Sequence, residues 1–228
     1  MKDVLRLLQA EQETERRFVL EVAGDPDPPT GWSAAMTMFH LAQWRDRLWN
    51  GLTEAAAGQP VNAPPGDINE LNDAEMAGAA GVTLADAAAR SDAALTSLIA
   101  LWETMGDVPF KWYLASTTGE AIVRNSYLHA RVHLAEQFLL RGDAERSHRV
   151  TEETASELRG ADASPHILGA ALYNLAGVRA TQGRSDEALT LLEEALPMRP
   201  DLKSGAAEDV DLNAVRDSPR FRALVEST

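Results

Sequence analysis

TTGEAIVRNSYLHARVHLAEQFLLRG, residues 117–142, decides how the chain reads. Thr117 followed three residues later by Glu120 is a helix-opening capping box, and Gly142 closes the run, so a single long helix is predicted over 117–142. His129 and His133 stand four residues apart inside it. In an α-helix that spacing places two side chains on one face, about 6 Å apart, where they can share one metal ion.

Working outward, residues 3–23 show amphipathic periodicity through Val4, Leu5, Leu8, Phe18, Val19 and Val22, and Gly24 with Pro26 ends it. The acidic run Glu11–Glu15 in this segment reads as a solvated face. Ser33 is the expected N-cap of a second helix, 34–57, which carries Met36, Phe39, His40, Trp44, Leu48 and Leu52. Proline, glycine and asparagine mark 59–81 as a long connection with a turn of helix near 69–76. Thr83 then caps a third helix ending at Gly106, and 107–116 reads as irregular. Four long helices, with one histidine on the second and two on the fourth, predict an all-α, up-and-down four-helix bundle whose core can build a metal site from facing side chains.

Beyond Gly142 the helices shorten: 144–158, a helix from Ser164 and Pro165 to 181, and another over 185–196. The run Ala170-Ala171-Leu172-Tyr173-Asn174-Leu175-Ala176, then Gly183 to Leu189, then Leu192 to Leu196 and Pro200, resembles a tetratricopeptide repeat. The expected organisation is therefore a bundle over 1–160 and a packed, tetratricopeptide-like helical hairpin with closing helices over 161–228.

Composition narrows the chemistry. The chain has 228 residues, 45% of them hydrophobic, and no cysteine. Disulfides, thiolate zinc sites and cysteine nucleophiles are excluded, which leaves histidine and carboxylate as the strong metal ligands. A net charge of −14 opposes contact with nucleic acid and with anionic membranes. The apolar residues at the amino terminus are broken by charges, and no run of 18 apolar residues occurs, so a cytoplasmic chain is expected.

Gly31-Trp32-Ser33, Phe39-His40-Leu41-Ala42-Gln43-Trp44 and the pair His129/His133 together resemble the DinB-like (DinB and YfiT-like) superfamily over about residues 1–145. The resemblance implies a four-helix bundle with His40, His129 and His133 as ligands of a divalent metal: zinc first, with nickel or another ion open. It also implies a transferase, isomerase or hydrolase that acts on a small molecule, with a low-molecular-weight thiol such as mycothiol as possible co-substrate. Some relatives of that fold lack metal and act as hydrolases or resistance proteins, and the repeat-like tail is absent from the thiol transferases.

Three imidazoles leave an ion open positions at which water or a thiol is activated. Glu136, three residues after His133, is the candidate catalytic proton acceptor or the partner of an imidazole N–H. Asn125, four before His129, and Trp44 and Arg47, four and seven after His40, are the candidate substrate-binding residues, Arg47 for an anionic group. Against this stands the plainer reading, in which Leu128, Val132 and Ala135 face the core and the histidines sit at its edge. A second function is also open, a scaffold that pairs with another copy or a protein partner through the carboxy-terminal helices.

Overall fold

A computed structural model describes residues 2–61, 63 and 68–226. Of the connection expected over 59–81, residues 62 and 64–67 lie outside the described residues. The chain is mostly helical and divides into two compact units, Asp3–Ser147 and His148–Thr228, the division falling inside one helix. Among the described residues no helix is long and apolar enough to cross a membrane.

In the first unit the long helices are α1 (Val4–Val22), α2 (Ala34–Ala56), α4 (Leu84–Met105) and α6 (His129–Leu140), with the short α3 (Ile68–Met76) and α5 (Thr118–Val123) between them. Their starts follow the sequence signals. The Ser33 hydroxyl accepts the Met36 N–H at 3.1 Å, and Thr83 accepts that of Asp86 at 3.1 Å. Thr117 accepts from Glu120 N–H at 3.3 Å, while the Glu120 carboxylate reaches back to the Ser116 N–H at 2.7 Å, one residue earlier than the usual box. α4 packs on both α1 and α2, and α6 touches the same two helices.

Two features depart from the expectation. The stretch read as irregular over 107–116 contains a short antiparallel hairpin, β1 (Pro109–Trp112) with β2 (Ala115–Thr117). Residues 117–142 do not form one continuous α-helix, because Arg124–Leu128 widen into a π turn between α5 and α6.

The acidic run of α1 is also corrected. Glu11 and Glu15 are buried, at 0% and 4% exposure. They share the inward face of α1 with Leu7, Leu8 and Phe18, and each meets an arginine delivered from far along the chain. Glu11 pairs with Arg131, whose guanidinium lies 5.0 Å over the Tyr127 ring. Glu15 pairs with Arg45, which is 1% exposed. Arg45 donates to Glu15 Oε2 at 2.9 Å, to the Ser91 hydroxyl at 2.7 Å and to the Ser126 carbonyl at 3.0 Å. One side chain of α2 is thus bonded to α1, to α4 and to the π turn.

α7 (Ala144–Gly160) carries the division, and the second unit holds α8 (Pro165–Thr181) and α9 (Ser185–Met198), packed as a pair around Ala176, Ala180, Ala188, Leu189, Leu192 and Leu196. α10 (Lys203–Ala206) and α11 (Pro219–Glu226) follow, and Phe221 of α11 joins that core. Ser164 and Pro165 occupy the N-cap and first-turn positions of α8, as the sequence predicts. Gly169 makes the close approach possible, since a Cβ there would stand 2.8 Å from Met198 Cβ.

All five tryptophans belong to the first unit, so their fluorescence reports its unfolding alone. Replacing Arg45 by methionine strands the Glu15 carboxylate in the core and removes the bond to the Ser126 carbonyl. Denaturant unfolding followed by that fluorescence is expected to show a loss of about 3–5 kcal/mol. A loss of under about 1 kcal/mol, the size of an exposed pair, would contradict this account.

Candidate metal centre

His40 lies in the second turn of α2 and is 2% exposed. His129 opens α6, and its N–H bonds the carbonyl of Arg124, five residues back, which is the closing bond of the π turn. His133 follows one α-turn later on the same helix. Such widened turns recur at functional sites. Here the turn fixes the rotation of α6, and hence the direction in which both histidines point.

The three rings converge. The Nε2 atoms of His40 and His129 are 3.2 Å apart, and those of His129 and His133 are 3.0 Å apart. The rings stand edge to face, at 66°, 80° and 76° to one another. One ligand atom from each residue lies within 4.8 Å of the others, close enough for the three to hold a metal ion. With metal–nitrogen bonds of about 2.0–2.1 Å, ligand atoms around a tetrahedral zinc are separated by about 3.3 Å, which these spacings approach.

Hydrogen bonding among the rings satisfies the cluster only in part. His129 Nε2 carries either one proton or one lone pair, so it can make a proper hydrogen bond to one of its two imidazole neighbours and not to both. The third ring then shares that proton or lone pair in a weaker three-centre contact, or sets like against like. A cation at the centre removes that conflict.

Surrounding groups orient the rings. His133 Nδ1 lies 3.2 Å from Glu136 Oε2, and since the carboxylate accepts, Nδ1 is the donor of that contact. The hydrogen bond from His133 holds the Glu136 carboxyl below its ordinary range. Glu136 itself is exposed and addresses the ring nitrogen on the far side from the cluster. Trp32 stacks on His133 with centroids 5.7 Å apart and an angle of 25°, and it lies 4.8 Å from His40. Its carbonyl accepts from Gln137 Nε2 at 2.8 Å, and the same amide donates to Thr37 Oγ1 at 3.0 Å.

The candidate substrate-binding residues lie nearby in different roles. Trp44 is buried with its ring 6.3 Å from that of His40 and 6.1 Å from that of His129, and its Nε1 donates to Asn72 Oδ1 at 3.1 Å. Asn125 is buried, donates to the Trp44 carbonyl at 3.3 Å and accepts from the Ser126 hydroxyl at 2.9 Å, so it joins α2 to the π turn. Arg47 lies 5.1 Å over the Trp44 ring and pairs with Glu75 of α3. Trp32 and Tyr113 were not singled out as site residues by sequence reasoning. Tyr113 is at the tip of the β1–β2 hairpin with its ring 6.3 Å from Trp44. A tryptophan just ahead of the Ser33 cap was the available signal for the first; nothing local signalled the second.

Burial, then the neighbouring His133 and Arg47, pull His40 down to about 3. Burial likewise lowers His129 well below the ordinary value, with His133 and His40 adding to it. Both rings are therefore held in the neutral form that binds metal. Comparison with protein-family models, with curated proteins and with solved structures finds no match.

The His40 shift sets a pH dependence. Between about 3 and the ordinary 6.5 the unfolded chain binds a proton at this residue and the folded chain does not, so stability rises with pH across that window and is lost as pH falls through it. With chelator present, His40→Gln is expected to make the tryptophan-reported unfolding midpoint less dependent on pH between 6.5 and the acid limit of folding. An equal slope in variant and wild type would contradict this.

Proposed function

We propose that the chain is a metal-dependent enzyme acting on a small molecule, with His40, His129 and His133 as the ligands of a divalent ion, zinc before nickel or another. The observation that carries this reading is the convergence of three imidazoles, with His129 Nε2 at 3.2 and 3.0 Å from two other ring nitrogens, of which a single proton or lone pair serves only one with good geometry. An ion in such a site supplies Lewis acidity and lowers the pKa of a coordinated water or small thiol towards neutrality. That chemistry fits a transferase, isomerase or hydrolase, and it needs no cysteine from the chain.

The protein's own residues then do the positioning. Glu136 holds the proton on His133 Nδ1, Gln137 pins Trp32 across that ring, and Trp44 walls the side of His40 and His129. In this reading Glu136 acts through His133 and is a positioning residue. The resemblance to the DinB-like superfamily agrees, and the mutual contacts of α1, α2, α4 and α6 suit its up-and-down four-helix bundle. The α8–α9 pair, closed over Gly169, suits a tetratricopeptide-like hairpin.

Protein purified without chelator or affinity tag is expected to contain about one divalent metal per chain by elemental analysis, and His129→Ala to contain little. Wild type that holds no metal and takes up none on reconstitution would overturn the proposal. Glu136→Gln is expected to weaken metal affinity by about 10–100-fold in competition with a chromophoric chelator. Unchanged affinity would remove Glu136 from the account.

A further inference from the structure

Away from the histidines, at the end of the first unit where α2 and α4 begin and α1 and α6 stop, lies a cavity of about 600 Å³. That volume is within the range of small-molecule sites. Val22, Met36, Met76, Val82 and Leu84 make much of its wall apolar, and none of the three clustered histidines lines it.

The charged groups on this cavity are not matched to one another. Arg141 is half-buried, and its Nη1 donates to the Pro26 carbonyl at 2.9 Å. Its Nε is shielded from solvent and has no acceptor. A buried donor left without an acceptor is costly and uncommon in a native protein. Among the described residues no carboxylate lies within 4.0 Å of this guanidinium, although the chain has 35 acidic side chains against 21 basic ones. Asp25 and Asp27, on either side of Pro26, line the same cavity, and neither carboxylate meets a cation among the described residues. Ser33 lines it too; its oxygen accepts the Met36 N–H, and its own proton has no acceptor among the described residues.

We infer that this cavity binds an α-amino acid with an apolar side chain. Its carboxylate accepts from Arg141 and the Ser33 hydroxyl, its ammonium donates to Asp25 and Asp27, and its side chain lies against Val22, Met36, Met76 and Val82. An anion alone is opposed by the two aspartates and a cation alone by the guanidinium, whereas a zwitterion satisfies both. The bond from Arg141 to Pro26 brings the opposite charges to the same side of the cavity without joining them, as the two charged groups of one small molecule require. The apolar wall favours a ligand with hydrocarbon to bury.

The test uses full-length protein with chelator present, so that no amino acid binds through an ion and the result is independent of the metal centre. L-leucine, L-methionine and L-phenylalanine are titrated by calorimetry beside glycine, which lacks the apolar part. Their amides, which lack the carboxylate, and their N-acetyl derivatives, which lack the ammonium, are titrated in parallel. At least one of the three amino acids is expected to bind saturably, about tenfold or more tighter than glycine and than either of its own derivatives. Arg141→Gln is expected to weaken that amino acid about tenfold and leave its amide unchanged. Asp25→Asn combined with Asp27→Asn is expected to weaken it about tenfold and leave its N-acetyl derivative unchanged.

No saturable binding of any of the three, glycine or a derivative binding as tightly as the amino acid, or wild-type affinity in either folded variant would each overturn the inference. The comparison with glycine and the derivatives needs only wild type, so a variant that fails to fold does not remove the test.

Discussion

A guanidinium at 1% exposure must have its charge met by protein, and the partners of Arg45 determine how the first unit is assembled. Glu15 of α1 supplies the counter-charge, Ser91 of α4 a hydroxyl, and Ser126 of the π turn a carbonyl. Displacing any one of these elements leaves a buried charge or a buried polar group unmatched, a penalty of several kcal/mol. The register among α1, α2, α4 and the start of α6 is therefore set by electrostatics as well as by apolar packing. Arg45 comes five residues after His40 on α2, and Ser126 comes three residues before His129. The bond that joins them fixes the two backbones on which the histidines ride.

The π turn converts that register into a site. Its wide closing bond, from His129 N–H to the Arg124 carbonyl, lets α5 and α6 follow one another with a change in facing direction. His129 and His133 then point at His40, and Asn125 ties the turn to the Trp44 backbone. Burial keeps the imidazoles of His40 and His129 neutral, Glu136 orients the third ring, and Trp32 covers it. Three imidazole nitrogens brought together in this way favour a cation between them.

Local signals were legible in the sequence and long-range ones were not. The caps at Ser33, Thr83 and Thr117, the Pro165 start of α8 and the i, i+4 spacing of His129 and His133 depend on neighbours within a turn, so each could be read directly. His40 was within reach because it lies in a helix with a clear start. The burial of Glu11 and Glu15 was hidden, since the arginines that neutralise them stand 120 and 30 residues away. The π turn was hidden for a related reason: Arg124 to Leu128 have ordinary helical character, and the carbonyl that the turn presents is met by Arg45, 81 residues distant. The Tyr113 hairpin carries no glycine or asparagine at its tip, so the usual turn chemistry that would announce it is missing.

Anomalous diffraction from crystals of the zinc-loaded protein locates the ion without reference to activity. One strong zinc peak is expected at about 2.0–2.1 Å from the Nε2 atoms of His40, His129 and His133. A peak bound elsewhere on the chain, or no peak with any of the three rings turned away from the others, would contradict it.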